Sequence, residues 1–587
     1  MHGLFHKSYN SVKHGTWKWV LFFIFVYSLF FVNSFHEKYT DEFDNVLGGS
    51  YILHGRLPYN GFFSHHGPLA YFVSAFIQIF SGHSFVHFRV AYGLFLFLMT
   101  MGVYFYFRCR FSEYTARIYL AFMVLLGISA SYYWGHMLIA DSLAGFFLSY
   151  VFSFFLFQNL LSIKITTRDI IFISLFTSLA LLTALTYIYL CLFIYLYVLV
   201  LIFSTHKGLG KSNIVFKTML ICGTPYILFL LYLLFTGSFS NYLYQSVIFN
   251  QKYYIYFQGV SGAPKNPIRQ IIIIAYNFYQ NFFTLLVQAK ELNFSSPFNI
   301  TLAITNVTLL IYLFLQKRYK LLLFILLFIT YANARSNPLD SRETDYQSAV
   351  YITATLFSMC YVLYLLTKSL SSHLDEVRKS VYLLLFLLTG TYCFFTTGFL
   401  LSKFASKAYT KYMGMAPLIY DTSSIAPLIN TLASKDDYAW IGPLNFDDLY
   451  YMQAKLPSKY HILIPGMGKS AVIQQDMLSE FSKNKPKVMY FDKNFFILGS
   501  SPNQFAQFFI SFVSANYITL GTYNSNEVKY TQINSSTNVD IINNLYINKD
   551  TVPEVINLLE KNNYIKEEQV QKPQLVTVAR RPLTTHY

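Results

Sequence analysis

The feature that most constrains this chain is a succession of apolar stretches, each close to the roughly 20 residues that a helix needs to cross the hydrocarbon core of a bilayer. In order they fall near 17–34, 84–107, 115–133, 138–158, 169–187, 188–205, 214–236, 299–316, 320–334, 346–367 and 379–401. Segments of this kind cannot all be hidden inside a water-soluble protein. The 587 residues are 54% hydrophobic and only 12% charged, and the mean hydropathy is +0.39 although the last third is visibly polar. Such a chain carries more apolar surface than soluble cores of its size bury. A soluble enzyme, a disordered chain and a fibrous repeat are excluded. The expected fold class is an α-helical polytopic membrane protein of about eleven transmembrane helices, because backbone polar groups in lipid must be satisfied within each segment.

The first stretch is too long for the apolar region of a signal peptide and no small-residue cleavage site follows it, so it is expected to stay as an anchor. With the N-terminus cytoplasmic, the inner loops contain Arg108, Arg110 and Arg117, then Lys164 and Arg168, then Lys207 and Lys211, then Lys317, Arg318 and Lys320, then Lys368, Arg378 and Lys379. Every one is basic, as the positive-inside rule requires. The formal charge of +16 is therefore an orientation signal, and no nucleic-acid partner is implied.

Three long segments are left outside: 35–83, 237–298 and everything after 402. The expected organisation is a transmembrane domain over 1–401, with 35–83 and 237–298 as its long outer loops, and an extracytoplasmic α/β domain over 402–587, in a multi-pass protein of the plasma membrane. In the tail, strand-like pieces (438–442, 460–465 and 487–492) alternate with helix-like pieces (AVIQQDMLSEFSKN and TVPEVINLLEKNNY). The run 68–82 is apolar but short, and reads as an interfacial or re-entrant helix. The five cysteines lie in or beside apolar runs with no CxxC spacing, so neither a disulfide framework nor a zinc ribbon is indicated.

Directly after the first span comes HEKYTDEFDNVLGGSYILHGRLPYNGFFSHHGPLAYF, with Glu37, Asp41, Glu42 and Asp44 in one acidic cluster. Carboxylates at a low-dielectric boundary are costly to keep ionised. The cluster is either hydrated surface or a site for a proton or cation. The order of an acidic pair, GRLPY, an aromatic stretch and then HGPLAY opening an amphipathic run resembles the first outer loop of the GT-C superfamily of polytopic glycosyltransferases. The resemblance is closest to the branch of the protein O-mannosyltransferases and the lipid A aminoarabinose transferase (glycosyltransferase family 39-like). YYWGHMLIADSLAGFFLSYVF at 132–152 resembles the same family's acidic residue at the outer mouth of its fourth helix.

The resemblance implies an enzyme that transfers a sugar from a polyprenyl-phosphate donor to a glycan, lipid or protein acceptor on the outer face. It implies Asp41 as catalytic base, Glu42 as the fallback and Asp141 as a further catalytic residue; Asp141 also reads as a plain helix N-cap. A departing phosphate needs fixed positive charge or a metal. Arg89, Arg335 and Arg342 are the cationic candidates, the last two equally readable as side chains snorkelling to lipid headgroups. His65 and His66 are further candidates, His66 standing where some relatives carry Lys. Several histidines share the outer side, so a divalent metal is conceivable, but no ligand spacing fixes one. Competing classes are a polymerase or ligase of lipid-linked polysaccharide and a lipid-linked sugar flippase. The second calls for ionisable groups at mid-membrane and an inverted repeat, and the sequence displays neither.

This reading fixes the side of the membrane on which the first loop lies. With the five native cysteines replaced, an Asn60→Cys chain in intact cells is expected to react with a membrane-impermeant maleimide. Labelling only after permeabilisation would reverse the orientation.

Overall fold

The computed structural model describes residues 16–205, 210–254, 267–289, 297–332, 346–371, 375–413, 421, 423–519, 529–532 and 543–568. The chain divides into two compact units, Met1–Thr422 and Ser423–Tyr587.

The first unit is mostly helical, with irregular chain at 54–68 and 130–139. Its principal helices are α1 (Thr16–Asn33), α2 (Thr40–Leu53), α3 (Leu69–Ser81), α4 (Phe85–Arg110), α5 (Glu113–Ser129), α6 (Ala140–Leu160), α7 (Thr167–Thr183), α8 (Ile188–Thr205), α9 (Gly210–Phe235), α10 (Pro267–Ala289), α11 (Pro297–Leu315), α12 (Tyr319–Tyr331), α13 (Ala349–Leu370) and α14 (Glu376–Tyr412). Each of the apolar stretches read from the sequence forms a helix. Among the described residues seven helices, α4, α6, α8, α9, α11, α13 and α14, are long and apolar enough to cross a membrane, and α1, α3, α5 and α12 are shorter apolar helices.

Local signals explain several boundaries. Ser84 accepts a hydrogen bond from the His87 amide at the start of α4, Ser112 from Thr115 at the start of α5, and Thr166 forms a reciprocal cap with Asp169 at the start of α7. The Asp169 carboxylate also pairs with Arg110 at 2.7 Å and accepts from Tyr106 at 2.8 Å, tying the end of α4 to the start of α7.

α6 is the axis of this unit. Every residue from Asp141 to Gln158 is buried, as expected of a helix apolar all round. It packs against α7 and α13, and Thr353 on α13 donates to the Gly145 carbonyl at 2.9 Å. By contrast α9 keeps Phe216, Met219, Leu220, Leu228 and Leu234 exposed, the surface of a helix that faces lipid.

α2 and α3 form a tight pair. A side chain at Gly48 would overlap the Tyr71 ring, and one at Gly49 would overlap Ser74 and the Ala75 backbone. That closeness lets the Tyr71 hydroxyl donate to Asp44 at 3.0 Å. α3 turns Phe76, Ile79 and Phe80 outward, the surface an interfacial helix presents.

Two boundaries differ from the sequence reading. The segment 237–298 was expected to be loop, yet it contains α10; polar Gln270, Asn277, Gln280 and Asn281 dilute its hydropathy while Ile274, Phe278 and Phe282 are buried at helical spacing. The division between units falls at 422/423 rather than 401/402, because α14 runs on as a polar continuation to Tyr412.

The second unit holds a four-stranded sheet in the order β1 (Ala439–Gly442), β2 (Val488–Phe491), β5 (Leu545–Asn548), β3 (Tyr517–Thr519). β1 and β2 are parallel, while β5 runs antiparallel to β2 and β3. Strands β4 (Lys529–Gln532) and β6 (Ile565–Glu568) form a separate antiparallel pair. The helix-like pieces fold as α15 (Ala471–Lys483) and α16 (Val552–Lys561). Trp440, Phe481, Phe491 and Phe509 make the aromatic core. The expected strand at 460–465 is instead a buried extended run entering the turn Pro465–Lys469. It is fixed to the neighbouring chain by Leu463 N–H donating to the Pro443 carbonyl rather than by a ladder.

The α2–α3 contact yields a prediction. Gly49→Val is expected to destabilise the protein by about 1–3 kcal/mol through overpacking, read as a lower Tm in detergent. Gly102→Val, where an added side chain meets open space, serves as the control and is expected to leave Tm unchanged.

Candidate functional site

Asp41 and Glu42 sit in the first turn of α2, where the helix dipole favours negative charge. They diverge sharply in environment. Asp41 is partly exposed and accepts a hydrogen bond from the Tyr346 hydroxyl at 3.0 Å. Glu42 is wholly buried and paired two-pronged with Arg89, also wholly buried. The Arg89 guanidinium donates as well to the carbonyls of Glu37, at 2.8 Å, and His36, at 3.4 Å. The Leu138 amide donates to Glu42 at 3.4 Å. Burial pushes the Glu42 carboxyl above the usual carboxylate range, with Arg89 pulling it back.

This geometry separates roles that the sequence left together. Glu42 and Arg89 hold the loop to α4, so their fit to a fallback base and a phosphate ligand is poor: neither side chain reaches solvent. Asp41 keeps its exposure because it occupies the adjacent helical position and turns the other way.

Asn45, one turn further along α2, donates to the carbonyls of Asp41 and Leu138, both at 3.0 Å. It therefore fixes Asp41 against the turn 130–139 that joins α5 to α6. That turn contains Trp134 in a left-handed backbone conformation, φ 50°, which a non-glycine residue adopts at a cost of about 1–2 kcal/mol. The conformation is held by Gly135 N–H donating to Ala130 at 2.9 Å, Met137 N–H to Trp134 at 3.0 Å, and Ser142 Oγ to the Tyr133 carbonyl at 2.8 Å. The rings of Tyr39, Trp134 and Tyr346 pack on one another, with centroids 4.6 Å, 5.3 Å and 5.7 Å apart, over Met137 and Ile139.

Asp141 follows this turn in the first turn of α6. The N-cap is Ile139, without a side-chain cap bond, so Asp141 is not the cap the sequence offered as an alternative. It is buried and accepts from the Tyr187 hydroxyl at 2.9 Å, Tyr187 standing in the short turn between α7 and α8. His65 and His66 lie further along the first loop, their rings 3.9 Å apart. Their carbonyls accept from Asn250, at 2.7 Å, and Tyr59, at 3.0 Å. Gly67, next in the chain, abuts the Leu182 and Thr183 carbonyls at the end of α7. Gln245 also bridges the two long loops, accepting from Ser64 N–H at 2.9 Å and donating to the Tyr59 carbonyl at 2.8 Å. Thus 35–83 and the start of 237–298 are stitched together beside the ends of α6 and α7.

Arg335 and Arg342 lie outside the described residues. Among the described residues no three His, Cys, Asp or Glu side chains gather as a metal site would require. His36 and His136 do approach, with rings 5.6 Å apart; burial, with Arg89 and then His36 and Lys407, holds His136 well below the usual imidazole range.

Sequence reading missed Tyr346, Asn45 and Trp134. Tyr346 was within reach, since it lies four residues after the candidate Arg342. Compared with known proteins, the chain matches no protein-family model and no curated protein.

The buried pair predicts an asymmetric mutational response. Arg89→Met or Glu42→Gln is expected to cost about 3–5 kcal/mol by stranding the other partner, whereas Glu42→Leu combined with Arg89→Met recovers most of that loss. Thermal unfolding in detergent checks it; equal losses in the single and double variants would mean that the pair does not act as one unit.

Proposed function

We propose that this chain is an integral-membrane glycosyltransferase of the GT-C kind. It takes a sugar from a polyprenyl-phosphate donor and transfers it to a cell-envelope acceptor at the outer face, with its helices forming about eleven spans and residues beyond 422 an extracytoplasmic α/β domain. The observation that carries the reading is Asp41: the exposed member of an acidic pair just past the first apolar helix, fastened by Tyr346 and Asn45 while its neighbour is consumed by Arg89.

Chemically, the Asp41 carboxylate accepts the proton of the acceptor hydroxyl as that oxygen attacks the anomeric carbon. The bond from that carbon to the phosphate oxygen breaks, and the polyprenyl phosphate leaves with the electron pair, inverting the centre. A base so placed contributes about 10²–10⁴ in rate. The Tyr346 hydrogen bond orients the carboxylate, while Asp141 is buried and hydrogen-bonded to Tyr187. Cationic Arg335 and Arg342 precede Tyr346 in the chain, and their charge suits them to the phosphate of the leaving group.

Asp41→Asn is expected to lower transfer of radiolabelled sugar from an undecaprenyl-phosphate donor by about 10²–10⁴ at unchanged protein level. Tyr346→Phe, which removes only the orienting hydroxyl, is expected to cost about ten- to a hundredfold, the worth of one hydrogen bond to a charged group. Full activity of Asp41→Asn would remove Asp41 from this role.

A further inference from the structure

We propose that Trp134, with Tyr39 beside it, is the platform on which the pyranose ring of the donor lies while Asp41 works at its edge. This rests on the glycosyltransferase reading and adds to it the feature of the substrate that is read: the flat, C–H-rich face of a hexopyranose rather than any one hydroxyl.

Four observations converge. Trp134 and Tyr39 are each only partly buried, while Tyr346, which completes the aromatic corner, is buried beneath and hydrogen-bonded to Asp41. A partly open aromatic corner is thus joined through Tyr346 to the partly exposed carboxylate of the acidic pair, and binding sites for small polar ligands combine such apolar lining with few well-placed polar groups. Second, Trp134 is held at φ 50°, a conformation glycine would adopt without strain. Strain of this kind persists where the surrounding structure over-determines it, and it gathers at ligand-binding positions. Third, the hydrogen bonds of Gly135, Met137 and Ser142 fix the turn on both sides of the indole. Fourth, Asn45 and Glu42 both bond to Leu138, so Trp134 and Asp41 sit on one rigid frame. An unconnected packing tryptophan needs neither the strained backbone nor this coupling to the carboxylate. A rigid indole presents a large contact area at low entropic cost.

The test uses the full chain in nanodiscs in an Asp41→Asn background, which binds without turnover. The probes are undecaprenyl-phosphate-linked glucose, undecaprenyl-phosphate-linked mannose and undecaprenyl phosphate. Binding is measured with radiolabelled lipid and, separately, by tryptophan emission. The sugar-bearing lipids are expected to perturb an emission component that is missing from Trp134→Phe, and undecaprenyl phosphate is expected not to. Trp134→Gly relieves the backbone strain while removing the ring. It is expected to weaken binding of the sugar-bearing lipids roughly tenfold, in line with one aromatic contact, and to leave binding of undecaprenyl phosphate unchanged. With Asp41 restored, the same substitution is expected to raise KM for the donor by a similar factor with kcat changed much less.

If sugar-bearing lipids bind equally well to Trp134→Gly and leave the Trp134 emission untouched, the platform is overturned while the glycosyltransferase reading stands. Equal weakening for lipids with and without sugar would reduce Trp134 to a structural role and also overturn it. If neither sugar-bearing lipid binds the Trp134-containing chain at all, the donor class itself fails, and the platform with it.

Discussion

The arrangement at the head of the first unit depends on the buried pair of Glu42 and Arg89. Two opposite charges removed from water are mutually indispensable, because either alone would be left uncompensated in a low-dielectric interior. Arg89 spends its remaining donors on the carbonyls of His36 and Glu37, and Glu42 accepts from Leu138. The pair therefore clamps three pieces of chain at once: the exit of α1, the first turn of α2 with α4 behind it, and the turn that leads into α6. A helical step of one residue then decides everything about Asp41. It cannot share the burial of Glu42, so it emerges at the rim, where Tyr346 meets it.

The scaffold that supports this clamp was largely readable from hydropathy. The apolar stretches announce their helices because a bilayer leaves a chain few ways to satisfy its backbone. The total burial of α6 was not readable, since an all-apolar helix in lipid and one enclosed by other helices look alike in sequence. Nor was α10: its regularly placed Gln and Asn side chains lower the average hydropathy, while Ile274, Phe278 and Phe282 still fill one face. In the second unit, residues 460–464 are buried like a strand without pairing as one, a distinction made by hydrogen bonding across the chain and not by local composition.

The site was legible in part. An acidic pair just after the first helix drew attention to Asp41 and Glu42, but nothing in the order of two carboxylates says which will find an arginine. Arg89 lies far along the chain from Glu42, and its candidacy as a phosphate ligand rested on its expected place at the start of the second apolar stretch rather than on the partner that folding supplies. Asp141 was visible as an acid at the edge of an apolar run. Tyr346 was one of 50 tyrosines and Asn45 one of many amides, while Trp134, one of four tryptophans, sits in an apolar stretch where an indole is ordinary; only the turn at 130–139, with its left-handed Trp134, turns them into one constellation.

The most direct measurement is a structure of the Asp41→Asn chain in nanodiscs with a bound polyprenyl-phosphate sugar. The sugar is expected between residue 41 and Trp134, with its anomeric carbon close enough for a bridging acceptor hydroxyl, about 3–3.5 Å from the attacking oxygen, and the lipid phosphate at the same end of the helices. A donor found at the opposite ends of the helices, or at this end with the saccharide turned away from residue 41, would contradict this placement.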